Sequence, residues 1–181
     1  VIICVYTSLS IFIRAFNVHL IQKLHWTDTY LSTLSGSYVL MGSILIIIIS
    51  GLLTDRLGTH KMLITIMIII SCYMLVFNSL SALWRNVSVS SVGLLIYYLF
   101  DPSFSVAAMP MLMFICRKGI EGSQFTTYMS LVNFCDVAGA YLSGYALLWL
   151  SAPIIGSLCG IAILGALLYL YLIRDTHPVR L

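Results

Sequence analysis

The chain has 181 residues, of which 61% are hydrophobic and 8% charged, and its formal net charge is +3. A polypeptide this apolar cannot cover a water-facing surface, so its solvent is lipid and its fold class is that of a membrane protein. The composition leaves no room for an appended soluble catalytic domain, and so small a basic excess excludes nucleic acid as a partner.

A bilayer core about 30 Å thick is crossed by about 20 apolar residues in a helix. Six such runs follow one another, at 1–22, 30–53, 62–83, 92–115, 125–149 and 152–173. They are too long for transmembrane strands and do not alternate in polarity, so the expected fold is an all-α, six-transmembrane-helix bundle spanning 1–181. The first run imitates a secretory leader over 1–13, but it has no basic start and continues past Arg14, so it reads as a span. Because the chain opens at Val1 inside an apolar run, it is expected to be a fragment of a longer, twelve-helix protein.

The loops carry the orientation signal. Arg56, Lys61, Arg117, Lys118, Arg174 and Arg180 fall on one side and Lys23 and Arg85 on the other, six against two, which predicts that both visible ends are cytoplasmic. Trp26, Trp84 and Trp149 stand at helix ends, where interfacial anchors are expected. Asn86-Val87-Ser88 is a glycosylation sequon on the outer side, close to the membrane. Small residues at Gly139 and Ser143, Ala140 and Gly144, and Gly156 and Gly160 predict close helix contacts, while Pro102 and Pro110 predict a kink in the fourth span. Neither the five cysteines, which contain no CxxC pair, nor the four histidines have metal-ligand spacing, so no metal or other cofactor is expected. No nucleophile with a base and no phosphate loop appears either, which argues against an enzyme.

Between the second and third spans the chain reads Gly51-Leu-Leu-Thr-Asp55-Arg56-Leu-Gly58-Thr-His-Lys61. Gly58 permits a tight turn, Gly51 lets a neighbouring helix approach, and Asp55 is expected to pair with a basic residue or a helix N-terminus. The spacing resembles the G-x-x-x-D-R-x-G signature of the major facilitator superfamily, with Thr59 and His60 where that family often has basic residues. A second stretch, Glu121-Gly-Ser-Gln-Phe-Thr-Thr-Tyr-Met-Ser-Leu-Val-Asn133-Phe134, resembles the C-terminal half of the muropeptide permease and acetyl-CoA transporter branch. The folate-biopterin transporters have a similar entry. These resemblances imply one six-helix half of a twelve-helix transporter, whose partners are the lipid bilayer, a second six-helix half, a small solute and protons.

Three charges remain inside the spans, and each costs about 2.5–3.5 kcal/mol at a helix centre even on a lenient scale. Arg14, Asp101 and Asp136 lie about 12, 14 and 13 Å from the same membrane face at 1.5 Å per residue. Arg14 shares a helical face with Ser10 and Asn17, and Asp136 shares one with Asn133, Ala140 and Ser143. In the family resembled, the first, fourth and fifth helices of a half line the cavity and the third and sixth face outward, which agrees with this distribution. Arg14, Asn17, Asp101, Asn133 and Asp136 are therefore the expected substrate or proton pathway. Arg14 either binds an anionic group or pairs with one of the two carboxylates. The expected function is secondary transport of an anionic or zwitterionic solute with protons by alternating access, and the alternative is a non-transporting subunit of a larger membrane complex.

Overall fold

The computed structural model describes residues 1–176. Arg180, counted above toward orientation, lies outside the described residues, as does the side chain of Arg174. Six long helices carry the chain: α1 (Ile2–Leu24), α2 (Asp28–Leu57), α3 (Thr59–Ser79), α4 (Val87–Ile115), α5 (Glu121–Leu147) and α6 (Ala152–Thr176). Most extend beyond the predicted apolar runs because the connections are very short. In α2 and α3 the helices take over residues 55–61 on both sides, leaving Gly58 as the whole turn.

Local chemistry sets each boundary. α1 stops where His25 turns left-handed at φ 55°, and the Trp26 N–H folds back onto the Leu20 carbonyl at 3.1 Å. Thr27 caps α2, its Oγ1 accepting from the Tyr30 N–H at 3.3 Å. Within α2 a π-helical turn at Leu34–Tyr38 coincides with the small residues Ser35, Gly36 and Ser37. Gly58 reverses the chain at φ 86°, ψ 144°, a conformation that side chains avoid. A short 3-10 turn (Ser81–Arg85) follows α3, and Asn86 then caps α4, its side chain accepting from the Ser88 N–H at 3.0 Å. The expected kink in α4 falls at Leu99, between helical stretches Val87–Tyr98 and Phe100–Ile115. Pro102 has no N–H to offer the Tyr98 carbonyl, so the helix breaks just ahead of it, whereas Pro110 is accommodated inside the second stretch.

Five of the six helices are both long and apolar enough to cross a bilayer. The sixth, α5, has 27 residues and reaches about 40 Å, so its length suffices, but Thr126, Thr127, Ser130, Asn133 and Asp136 dilute its hydropathy. α1 packs between α5 and α6, α6 also packs on α3, and the second stretch of α4 lies against α3 and α2. Each of α3 and α6 buries one face in the core and presents an apolar outer face, including Ile69 and Val76 on α3 and Leu158 and Ile161 on α6. α2 and α5 bury very little.

The core is rich in rings. Phe12, Phe16, Phe77 and Trp84 form a continuous stack of edge and face contacts, with centroids 4.7 to 5.7 Å apart. Tyr73 and Tyr97 join it with their hydroxyls spent on the Gly93 and Leu9 carbonyls, both at 2.6 Å, as a site without water requires. Trp84 departs from the anchor reading: it is 1% exposed, and its Nε1 donates to the Phe77 carbonyl at 3.1 Å. Trp26 is also buried, against Tyr30, while Trp149 is exposed at the end of α5.

Two of the three small-residue pairs make the expected contacts. A side chain at Gly139 would run into Ser10, one at Gly156 into Asn78 and Phe12, and one at Gly160 into Met74 and Leu75. Gly144 is open, and so is Gly51, which brings no neighbouring helix close among the described residues.

Candidate functional site

α1 turns Tyr6, Ser10 and Arg14 to one side at four-residue spacing, and α5 faces them with Asp136. The approach is close because Gly139, one turn after Asp136, gives Ser10 the space a side chain would fill. Arg14 meets Asp136 through Nη2, 2.9 Å from each carboxylate oxygen. Ser10 bridges the pair: its Oγ donates to Asp136 Oδ1 at 2.7 Å and accepts from Arg14 Nε at 3.4 Å. The hydroxyl thereby fixes both groups in one plane of contact.

This ion pair is not sealed. The Arg14 side chain is 41% exposed and that of Asp136 63%, both toward the open side of α1 and α5. Of the guanidinium donors, those on Nη1 have no partner among the described residues. An ion pair this exposed contributes little net stability, about 0–1 kcal/mol. Its chemical significance is that a cation and an anion are held at membrane depth with donors to spare.

Asp101, on the second stretch of α4, also lies on this side. It is exposed and makes no hydrogen bond or ion pair among the described residues, and it is near enough to Asp136 for the two carboxylates to repel. Tyr6 in turn hydrogen-bonds Ser105, one turn beyond Asp101, at 2.8 Å. Asn17 is tied to Tyr98 by a 3.2 Å bond from its Nδ2, and its buried Oδ1 has no partner among the described residues. Asn133 is exposed on α5, one turn before Asp136, with no hydrogen bond among the described residues.

The structure thus gathers Arg14, Asp101 and Asp136 and selects Asp136 as the arginine's partner. It adds Tyr6, Ser105 and Tyr98, which the sequence did not place there, and it brings in Ser10, which helical spacing had already set on the face of Arg14. The i, i+4, i+8 spacing of Tyr6, Ser10 and Arg14 was the signal for Tyr6. Ser143 leaves the predicted polar stripe: it is buried, and with Cys135 and Gly139 it forms the packed face of α5.

The segment 51–61 is arranged differently from expectation. Gly58 makes the turn, but Asp55, Arg56 and Lys61 are exposed and enter no ion pair among the described residues. The next loop at this end is organised instead by Glu121 and Gln124, which accept from the Gly119 and Arg117 N–H groups at 2.8 and 2.7 Å.

The family model of the Major Facilitator Superfamily matches residues 1–181. The chain belongs to this superfamily. No curated protein and no solved structure matches it. Membership makes it an integral, multi-pass membrane protein of a family of secondary transporters of small solutes, and the bundle described above is an all-α half of that fold. In a major facilitator transporter of this geometry, packing of α1 on α5 sets the position of the charges. Gly139→Ala should therefore drive Ser10 off Asp136, destabilise the bundle by about 1–3 kcal/mol and reduce transport. Gly144→Ala, on the same helix but in open space, should leave both unchanged. Thermal unfolding and uptake of the two variants, compared side by side, check this.

Proposed function

We propose that this chain is one half of a secondary transporter that moves an anionic or zwitterionic solute by alternating access, with protons as the coupling ion. The observation that carries the reading is the open ion pair: Arg14 has Nη1 donors unspent beside Asp136, and the unpaired carboxyl of Asp101 stands on the same side. An incoming carboxylate or phosphate competes with Asp136 for the guanidinium, and Asp101 is the group available to carry a proton. The polar open side of α1 and α5 cannot face hydrocarbon, so a second six-helix half covers it, either in the same polypeptide or as a partner chain. Both visible ends then lie in the cytoplasm, in accord with Arg56, Lys61, Arg117 and Lys118 at one end of the bundle. The resemblance of 121–134 to the muropeptide permease and acetyl-CoA transporter branch, and to folate-biopterin transporters, directs the solute panel toward such anions.

The test is uptake by the full-length protein in proteoliposomes under an imposed proton gradient. Asp101→Asn should abolish accumulation against a gradient while preserving solute exchange across the membrane. Accumulation equal to that of the parent would remove Asp101 from coupling.

A further inference from the structure

A partly open concavity with several polar groups on its wall lies at the opposite end of the bundle from the 51–61 turn. It occupies about 480 Å³ between the end of α1, the 3-10 turn after α3 and the start of α6, within the range of small-molecule sites. His19 and Lys23, one helical turn apart on α1, line it together with Arg85, Ser81, Trp84 and Pro153. No acidic residue lines it, and neither Lys23 nor Arg85 enters an ion pair among the described residues. Asp28, the nearest acid in sequence, sits in the first turn of α2 and does not reach the cavity.

The distribution of charge makes this more than a solvated rim. Arg56, Lys61, Arg117 and Lys118 sit at the other end of the bundle; Lys23 and Arg85 are the basic side chains described at this one, and both converge on one concavity. A lysine in the last turn of a helix is explained by that helix's own carbonyls. That explanation does not extend to Arg85, which belongs to another element. Two cations held on one cavity without an anion repel each other, and an oxyanion between them reverses the sign of the interaction. Arg85 supplies a planar fork for phosphate oxygens, Lys23 a point charge, and Ser81 a hydroxyl.

We propose that this cavity is a binding site for a phosphate group, separate from the Arg14–Asp136 centre. The phosphate belongs either to an anionic lipid headgroup at the membrane surface or to a soluble phosphate, and the same residues would hold both.

The experiment uses the full-length protein in nanodiscs. In one arm, discs of phosphatidylcholine are titrated with inorganic phosphate at low ionic strength while tryptophan emission is followed, because Trp84 lines the cavity. In the other, discs also contain phosphatidylglycerol, and lipid retained after extraction is counted by native mass spectrometry. Saturable emission change in the first arm identifies soluble phosphate; retained phosphatidylglycerol alone identifies a headgroup; either supports the site. Lys23→Gln/Arg85→Gln should weaken binding about thirtyfold, from about 1 kcal/mol of surface-charge attraction per residue. Arg117→Gln/Lys118→Gln, at the other end, should bind as the parent does. Should the first double variant fail to fold, Ser81→Glu places a carboxylate in the mouth without removing a cation and should abolish binding. Binding by neither arm, or equal binding by parent and cavity variants, overturns the proposal.

Discussion

Arg14→Gln and Asp136→Asn should each reduce solute uptake about 100-fold, the equivalent of about 2.7 kcal/mol lost from a hydrogen-bonded charge contact. Each should destabilise the bundle by no more than about 1 kcal/mol, because both side chains are partly exposed. The two effects separate in the double variant Arg14→Gln/Asp136→Asn. Neither charge is then left without its partner, so thermal stability should return to near the parent's. Uptake should remain lost, because the guanidinium that competes for the solute is gone. The exchanged pair Arg14→Asp/Asp136→Arg is a stricter case: the attraction is retained, but the cation moves from α1 to α5. If the neutral double variant regains uptake along with stability, the pair is a structural brace and the solute is bound elsewhere. Measuring uptake and unfolding on the same reconstituted preparations makes that distinction directly.

The spans and their order were readable because lipid imposes a simple rule of length and polarity on each helix. Gly58 was readable too, since a turn of one residue at φ 86° tolerates little else. The depth arithmetic brought Arg14, Asp101 and Asp136 to one level but left both carboxylates open as partners of the arginine. That choice depends on rotation of α5 about its axis, which Gly139 settles by fitting against Ser10. Tyr6 and Ser105 escaped for the opposite reason: isolated hydroxyls in apolar runs usually satisfy their own helix, as Ser71 does on Met67 and Thr54 on Ser50. Gly51 stands in open space among the described residues, because a small residue licenses a close contact without supplying the neighbour. Asp55 belongs to a segment whose exposed residues find no ion-pair partner among the described residues.

Trp84→Ala should cost about 3–5 kcal/mol, the range for emptying the site of a fully buried aromatic side chain. A tryptophan at a helix end has two physical uses. As an interfacial anchor it lies outward, its ring among headgroups, and its removal costs little folding stability. As a plug it closes the end of the bundle, and Trp84 has that position: it stacks on Phe77 at 5.1 Å, meets Phe16 edge-on at 4.7 Å and His19 at 5.3 Å, and spends its Nε1 on the Phe77 carbonyl. Removing it leaves Phe16 and Phe77 facing a void, because the turn Ser81–Arg85 is braced by the buried Ser90 hydroxyl on the Trp84 carbonyl at 2.6 Å and cannot readily close over the gap. Trp149, 77% exposed at the end of α5, is the matched control, and Trp149→Ala should change stability by no more than about 0.5 kcal/mol. Heating followed by thiol labelling reads the difference, since Cys135 and Cys159 are buried and react only as the helices part. Equal unfolding midpoints for the two variants would return Trp84 to the role of an anchor; a midpoint lowered in Trp84→Ala alone places the plug at the end of the aromatic stack in which Phe16 of α1 meets Phe77 of α3.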